Sequence, residues 1–500
     1  MIILIISTVL SQAAFASGTM ESMESAKTYS YELISKVAED NTRVVAVAID
    51  FEKPLDIAWE LAHYFKVSAE LLPVETYTGD LIANSAVPMA ERNITRAYTS
   101  DVPEIGSPKA GQYVIIELNP TDVNNASYYK GFNPGIRQLI PYGKNMKYEI
   151  ELVSDLNYYS PNISPAIPGS EIETISKYSN FVMSGHSIMT ADEFSIGSFT
   201  LDSNETIKSM GYNFYAPEDF EPGQKVPLVV FLHGSGQSHD YTNFADDLLA
   251  DIRSPLLVYN GGTTWIENMK EKCYVLVPQI PARDTKDARG EIGWNNIETQ
   301  NLVMALVDRI IAENDAIDTD RLYLTGLSMG AFGSWGILTS DNDKVSDKFA
   351  AGVLIAGGNG FTDFYRGGIS FQEFYEKQLN TNSFKAENVK VPIWICGADT
   401  DPLVPIINSR SPFAILSGSR INNEGEVVPS PAISFEEKEF EKYYEGTNVY
   451  DGSEIRYSEY LFGDGSKFLD LGMIQRNGHQ SSHITYKDQR VLDWMFAQHK

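Results

Sequence analysis

Cysteine is almost missing from this chain: its 500 residues include only Cys273 and Cys396. Two cysteines cannot staple a disulfide scaffold or build a cysteine-ligated zinc site. Each stands in an apolar, strand-like run, EKCYVLVP or PIWICGAD, so both are expected as buried free thiols. Positive charge is also scarce, with 39 Lys and Arg against 67 Asp and Glu and a net charge of −28. Nucleic acid and anionic membranes attract the opposite sign, and neither is expected as a partner. No apolar run reaches the roughly 18 residues that a spanning helix needs. The N-terminal run, residues 2–10 of MIILIISTVLSQAAFASG, is shorter and leads into the small-x-small triplet Ala14-Phe15-Ala16. Residues 1–16 therefore read as a secretory signal lacking its usual basic n-region, and they predict a secreted or periplasmic protein.

What is present is a globular composition, 43% hydrophobic and 11% aromatic, on a chain long enough for two or three domains. Its character changes near residue 200. Before that point short β-type runs alternate with turn-rich spacers: RVVAVAID (43–50), NITRAYT (93–99), GQYVIIELNP (111–120) and MKYEIELV (146–153). No helical period competes with them, and an antiparallel sandwich is expected. After residue 205 the buried type of strand takes over, in VPLVVFLHG (226–234), CYVLVPQ (273–279), RLYLTG (321–326), AAGVLIAGG (350–358) and VPIWICG (391–397). Such continuous apolar blocks read as parallel strands covered on both faces. Between them, Leu302, Val303, Leu306, Val307, Ile310 and Ile311 fall on one helical face. An α/β domain with a mostly parallel sheet follows.

The motif Gly326-Leu327-Ser328-Met329-Gly330 fits G-x-S-x-G. It follows a predicted strand and opens a small-residue helix, the context in which a serine is pushed out on a sharp turn as a nucleophile. An acid and a base should follow in that order. The loop after VPIWICG offers Asp399 and Asp401, and RNGHQSSHITY offers His479 and His483, and spacing alone leaves both choices open. Upstream, FLHGSGQ (231–237) is the H-G-x-G type of loop that lends an N–H to an oxyanion hole. The expected donors are the N–H groups of Ser235 and Met329, worth on the order of 3 kcal/mol of transition-state stabilisation. His233 precedes the serine and is expected to be structural. Trp294, in GWNN, is a candidate for the pocket wall, with a packed core position as its alternative.

The segments PLVVFLHGSG, RLYLTGLSMGAFGSW, DPLVP and GHQSSHITYKDQRVLDWMFAQ resemble bacterial α/β-hydrolase carboxylesterases with an N-terminal immunoglobulin-like domain, relatives of prolyl-oligopeptidase-type peptidases. The resemblance covers about 205–500 and is weaker over about 40–165. It implies a signal peptide (1–16), an immunoglobulin-like sandwich (40–165), a connecting segment (166–204) and an α/β-hydrolase catalytic domain (205–500). The family acid stands in D-x-x-V-P, which selects Asp401. The family histidine stands seven residues before a tyrosine, which selects His479 before Tyr486. Asp399 and His483 are reserves. Two positions depart from the pattern: Ala331 replaces a second glycine after the elbow, and Ser482 replaces a tryptophan. The implied activity is hydrolysis of short-chain or polysaccharide-linked carboxylic esters through an acyl-enzyme, with no cofactor or metal. Assembly through the N-terminal domain is a further implication. The rival readings are a serine peptidase using the same triad and a binding protein on a silent hydrolase scaffold. The acidic stretch 418–453 is expected as a lid or a surface excursion. N-x-S/T sequons stand at Asn93, Asn125, Asn162 and Asn204.

Overall fold

The computed structural model describes residues 27–38, 42–55, 57, 60–75, 81–133, 136–159, 172–221, 223–234, 261–280, 293–359, 368–463 and 478–500. The signal-like leader, Ser235 and Asn162 lie outside them.

Eight strands build the first layer pair: β1 (Thr28–Val37), β2 (Thr42–Leu55), β3 (Phe65–Leu71), β4 (Val87–Arg92), β5 (Ile94–Ser100), β6 (Gly111–Leu118), β7 (Met146–Leu152) and β8 (Asn180–Met189). One sheet runs β8-β1-β2-β6-β5 and the other β7-β3-β4. Period-2 alternation does the sorting: Phe65, Val67, Ala69 and Leu71 of β3 point to the core, as do Tyr29, Tyr31 and Leu33 of β1. The two sheets are also stitched by polar groups. The buried Arg92 guanidinium donates to Tyr148 Oη (2.6 Å), to the Val44 and Asn119 carbonyls (3.0 and 3.1 Å) and to Asp122 (3.0 Å). A buried cation is tolerable only when so fully satisfied. The pairing of β8 with β1 is parallel, so the stretch read as connector, 166–204, supplies an edge strand to this sandwich.

The second unit is one ten-stranded sheet: β9 (Ser195–Thr200), β10 (Ser209–Tyr215), β11 (Val226–Leu232), β12 (Tyr274–Pro278), β13 (Ile317–Leu327), β14 (Ala351–Ile355), β15 (Ile393–Ala398), β16 (Ser434–Glu437), β17 (Glu441–Thr447) and β18 (Glu454–Tyr460). Its order is β9-β10-β12-β11-β13-β14-β15-β18-β17-β16. The strands from β12 to β18 in that order are parallel, and antiparallel pairs close both edges. The continuous apolar runs now have their reason. Leu228, Val230 and Leu232 of β11 enter one core, and Val229 and Phe231 enter the other. The first face is covered by α1 (Ile297–Glu313), α2 (Met329–Leu338), α3 (Phe371–Thr381) and α4 (Ile407–Ser417). The second is covered by the last helix, α5 (Gln489–Phe496), together with Val37, Ala191 and Phe194 from the sandwich side. None of the described helices is long and apolar enough to cross a membrane.

Within 418–453, residues 434–447 continue the sheet. They include β16 and β17, which extend the sheet beyond β18 as an antiparallel pair. Both thiols are free and buried. Of the sequons, Asn125 and Asn204 are buried, and Asn204 spends its amide on the Ile207 and Glu298 carbonyls at 2.8 Å each.

Candidate active site

Ser328 stands where β13 ends and α2 begins, with φ 57° and ψ −120°. For a side chain bearing a Cβ this is a strained backbone. It is held by two main-chain bonds, Ser328 N–H to the Ile355 carbonyl (2.9 Å) and Phe332 N–H to the Ser328 carbonyl (3.1 Å). The hydroxyl makes no capping bond to the helix it precedes, unlike an ordinary N-cap serine. The flanking glycines are demanded by space. A Cβ on Gly326 would lie 2.5 Å from the Gly330 carbonyl carbon, and one on Gly330 would lie 1.8 Å from the Leu232 carbonyl oxygen. Gly357, at the end of β14, was passed over in the sequence. A Cβ there would fall 2.5 Å from the Ala331 methyl, so the glycine makes room for the alanine that replaces a second elbow glycine. The only sequence signal was the glycine pair closing AAGVLIAGG.

The candidate acid and base, Asp401 and His479, follow β15 and β18 in the chain. His479 Nδ1 lies 2.8 Å from Asp401 Oδ2 and 3.1 Å from Oδ1. Asp401 Oδ1 also accepts the Leu403 and Val404 N–H groups at 2.8 Å each. These two bonds explain the D-x-x-V-P spacing: the carboxylate caps the loop that carries it. Gly478 lets the histidine loop lie against the acid loop, since a Cβ would come 2.8 Å from Asp401 N and 2.9 Å from Ala398 Cβ. With Nδ1–H given to the carboxylate, the lone pair of the neutral imidazole sits on Nε2. The Asp401 side chain is 1% exposed and that of His479 16%, so the imidazole reaches the surface and the carboxylate does not. Strands β13 and β15 flank β14, so their carboxyl ends stand about 10 Å apart on the same edge of the sheet.

Of the reserve residues, Asp399 is engaged elsewhere and His483 is buried. Asp399 Oδ1 accepts the Phe462 N–H at 2.8 Å, which ties the acid loop to the exit of β18. His483 is buried in the short helical turn Ser482–Thr485. His233 is also buried, and both ring nitrogens face fixed partners: the Gly234 carbonyl at 2.8 Å from Nδ1 and the Ile280 N–H at 3.1 Å from Nε2. Nε2 must accept, so Nδ1 carries the proton, and burial pushes the imidazole down to about 4. It is a neutral strut under the glycine loop. Trp294 is 1% exposed, donates to the His233 carbonyl at 2.9 Å and packs against Gly333. It belongs to the hydrophobic core. Met329 opens α2, where a helix offers its N–H no internal acceptor and the helix dipole favours negative charge. Its proposed companion, Ser235, lies outside the described residues.

Residues 30–160 match the family of esterase Ig-like N-terminal domains. The chain shares its fold with the crystal structure of a thermostable esterase, at 22% identity and TM-score 0.63, over 94% of this chain and 99% of that one. Fainter likenesses extend to the Pyrococcus horikoshii acylaminoacyl peptidase (18% identity, 45% of this chain and 35% of that one, TM-score 0.31) and to an acetyl xylan esterase from Aspergillus awamori (14%, 53% and 92%, 0.32). No curated protein matches the chain in sequence. An immunoglobulin-like β-sandwich therefore precedes a sheet of the α/β-hydrolase fold.

Proposed function

We propose that this chain is a serine carboxylesterase that hydrolyses short-chain or polysaccharide-linked acyl esters. The observation that carries the reading is the pairing of His479 with a buried Asp401 at the strand ends where Ser328 is held at φ 57°. In the reaction, His479 Nε2 takes the proton of Ser328 as Oγ attacks the ester carbonyl carbon. Asp401 fixes the imidazole through Nδ1 and stabilises its charged form. The negative oxygen of the tetrahedral intermediate turns to the N–H groups of Met329 and Ser235. Collapse of the intermediate breaks the carbon–alkoxide bond, and the alcohol leaves with the proton from His479. A water then gives its proton to His479 and attacks the acyl carbon; the acyl–Oγ bond breaks, His479 returns the proton to Ser328 Oγ, and the carboxylic acid leaves. Export belongs to the same reading, because residues 1–16 carry the signal pattern.

The test is turnover of p-nitrophenyl acetate, butyrate and octanoate beside a chromogenic peptide amide, for wild type and Ser328→Ala. Ester cleavage that vanishes in the variant is expected. Peptide turnover alone would make the enzyme a peptidase, and an active Ser328→Ala would sink the nucleophile assignment.

A further inference from the structure

His479 is anchored at one end by Asp401, and the other end of its segment is anchored to the nucleophile's own strand. From Gly478 to Tyr486 the backbone is a continuous run of turns: Ser481 N–H to Gly478 O (3.2 Å), Thr485 N–H to Ser481 O (3.0 Å) and Tyr486 N–H to Ser482 O (2.8 Å). The run ends on Tyr486, fully buried, with its ring edge-on to Trp265 (5.6 Å between centroids) and Phe231 (6.1 Å). Its hydroxyl lies 2.8 Å from Thr325 Oγ1, and Thr325 Oγ1 lies 2.7 Å from the Val353 carbonyl. A carbonyl can only accept, so the threonine proton goes to Val353 and Tyr486 must donate to Thr325. Thr325 stands three residues before Ser328 on β13. Its ladder partner is Val353, and the same strand, β14, supplies the Ile355 carbonyl that holds Ser328 N–H. Tyr486 is clamped again through its own carbonyl, which accepts from Thr264 Oγ1 at 2.8 Å.

We infer that Tyr486 and Thr325 are positioning residues that fix where the His479 segment sits relative to Ser328. Neither touches a reacting atom. The inference rests on the Ser328–His479–Asp401 reading above and adds to it a second tie. Asp401 orients the ring, and the Tyr486–Thr325 bond fixes the position of the segment that carries it. Without that bond the segment keeps its tie to Thr264 and the packing of the Tyr486 ring but loses its direct link to the strand that carries Ser328. The imidazole then spends less time at proton-transfer distance from Oγ, while the substrate-contacting surface is unaltered. Displacements of about 1 Å at a reacting pair can lower turnover by about a hundredfold, so a partial release should lower kcat by about tenfold.

The experiment measures p-nitrophenyl butyrate kinetics for Tyr486→Phe, Thr325→Val, Thr325→Ser and the Tyr486→Phe/Thr325→Val pair. Fluorophosphonate labelling run to completion counts the active sites, so that misfolded protein does not enter kcat. Tyr486→Phe and Thr325→Val are each expected to lose about tenfold in kcat per site with KM unchanged, as partners in one positioning contact. Thr325→Ser keeps the hydroxyl and should retain wild-type kcat. The double variant should be no slower than Thr325→Val alone, because Thr325→Val already removes the bond that Tyr486→Phe removes. Wild-type kcat per site in Tyr486→Phe would overturn the inference. So would a loss confined to KM, failure of Thr325→Ser to rescue, or additive losses in the double variant. Ser328→Ala runs alongside: activity there would refute the triad itself, whereas an inactive Ser328→Ala beside a fully active Tyr486→Phe would refute only this positioning role.

Discussion

Alanine at Gly330 and at Gly352 should give opposite results, although the chemical change is the same. In a helix, glycine to alanine ordinarily stabilises by about 1 kcal/mol, and Gly330 is the second residue of α2. Its Cβ, however, would stand 1.8 Å from the Leu232 carbonyl oxygen, 2.5 Å from the carbon behind it and 2.8 Å from the His233 carbonyl oxygen. An ordinary contact begins near 3.4 Å, so α2 and the end of β11 must separate by about 1.6 Å. The obstacles are backbone atoms of a central strand, so no rotamer change relieves them. Overpacking of this kind costs about 3 kcal/mol, which outweighs the helical gain. The same separation moves Ser328 and the Met329 N–H, and kcat/KM should fall by at least about a hundredfold. Gly352, on β14, meets nothing nearer than Leu338 Cδ1 at 3.4 Å. Alanine there should leave kcat/KM within about twofold and stability equal or about 0.5 kcal/mol higher. Urea midpoints followed by tryptophan fluorescence give the stabilities, and butyrate-ester turnover per titrated site gives the activity. A Gly330→Ala enzyme within about threefold of wild type would refute the argument that this glycine is demanded by backbone contact.

Asp401→Asn should lower kcat by about 10⁴-fold with little change in KM, because the amide favours the wrong imidazole tautomer. Asp399→Asn keeps an oxygen for the Phe462 N–H and should lose less than about tenfold by the same assay. Arg410→Met should destabilise the sheet unit by about 3–5 kcal/mol, because it removes bonds of 2.8 and 2.6 Å to Glu459, whose side chain is 1% exposed. Arg410→Met/Glu459→Leu should recover at least about half of that loss in urea denaturation, and no recovery would show that the lost packing, not the stranded charge, sets the cost. His233 gives a pH dependence with a definite sign. Its folded imidazole is pushed down to about 4 from an ordinary 6.5, so between those values the unfolded chain binds a proton that the folded one refuses. The contribution is fully present above pH 6.5 and is lost as pH falls toward 4, up to about 3 kcal/mol. His233→Gln should flatten the slope of stability over that window, and an unchanged slope would assign it to other groups.

The parts of this fold that could be read from the sequence are those dictated by neighbours in the chain. Parallel strands showed as unbroken apolar runs because both faces of β11 and β15 are covered. The elbow showed because its glycines meet backbone atoms. Asp399 and Asp401 could not be separated by spacing because they share one loop. What separates them is the path of β18, whose exit brings Phe462 N–H to Asp399 and whose following loop brings His479 to Asp401. The edge strand β16 was hidden for a different reason: all four of its residues are exposed, so it carries no apolar pattern. The parallel pairing of β8 with β1 joins residues about 150 apart along the chain, which no local pattern can announce. Trp294 illustrates the same limit, since a tryptophan beside a glycine turn reads alike whether it lines a pocket or packs beneath a loop.

Two of the non-glycine residues with positive φ, Ser328 at 57° and Ala356 at 50°, lie at the carboxyl ends of the neighbouring strands β13 and β14. Each such residue stores about 1–3 kcal/mol and persists only where its surroundings leave no alternative. Here the surroundings are the parallel ladder itself. Ser328 N–H is held by the Ile355 carbonyl, and Ala356 N–H by the Cys396 carbonyl at 2.8 Å on the next strand. The restraint thus runs strand to strand from β13 through β14 to β15, whose end carries the Asp401 loop. A serine held this way cannot relax without breaking bonds between the buried central strands of the sheet. That is why a serine with an exposed job can sit on backbone angles that a loop alone would not keep.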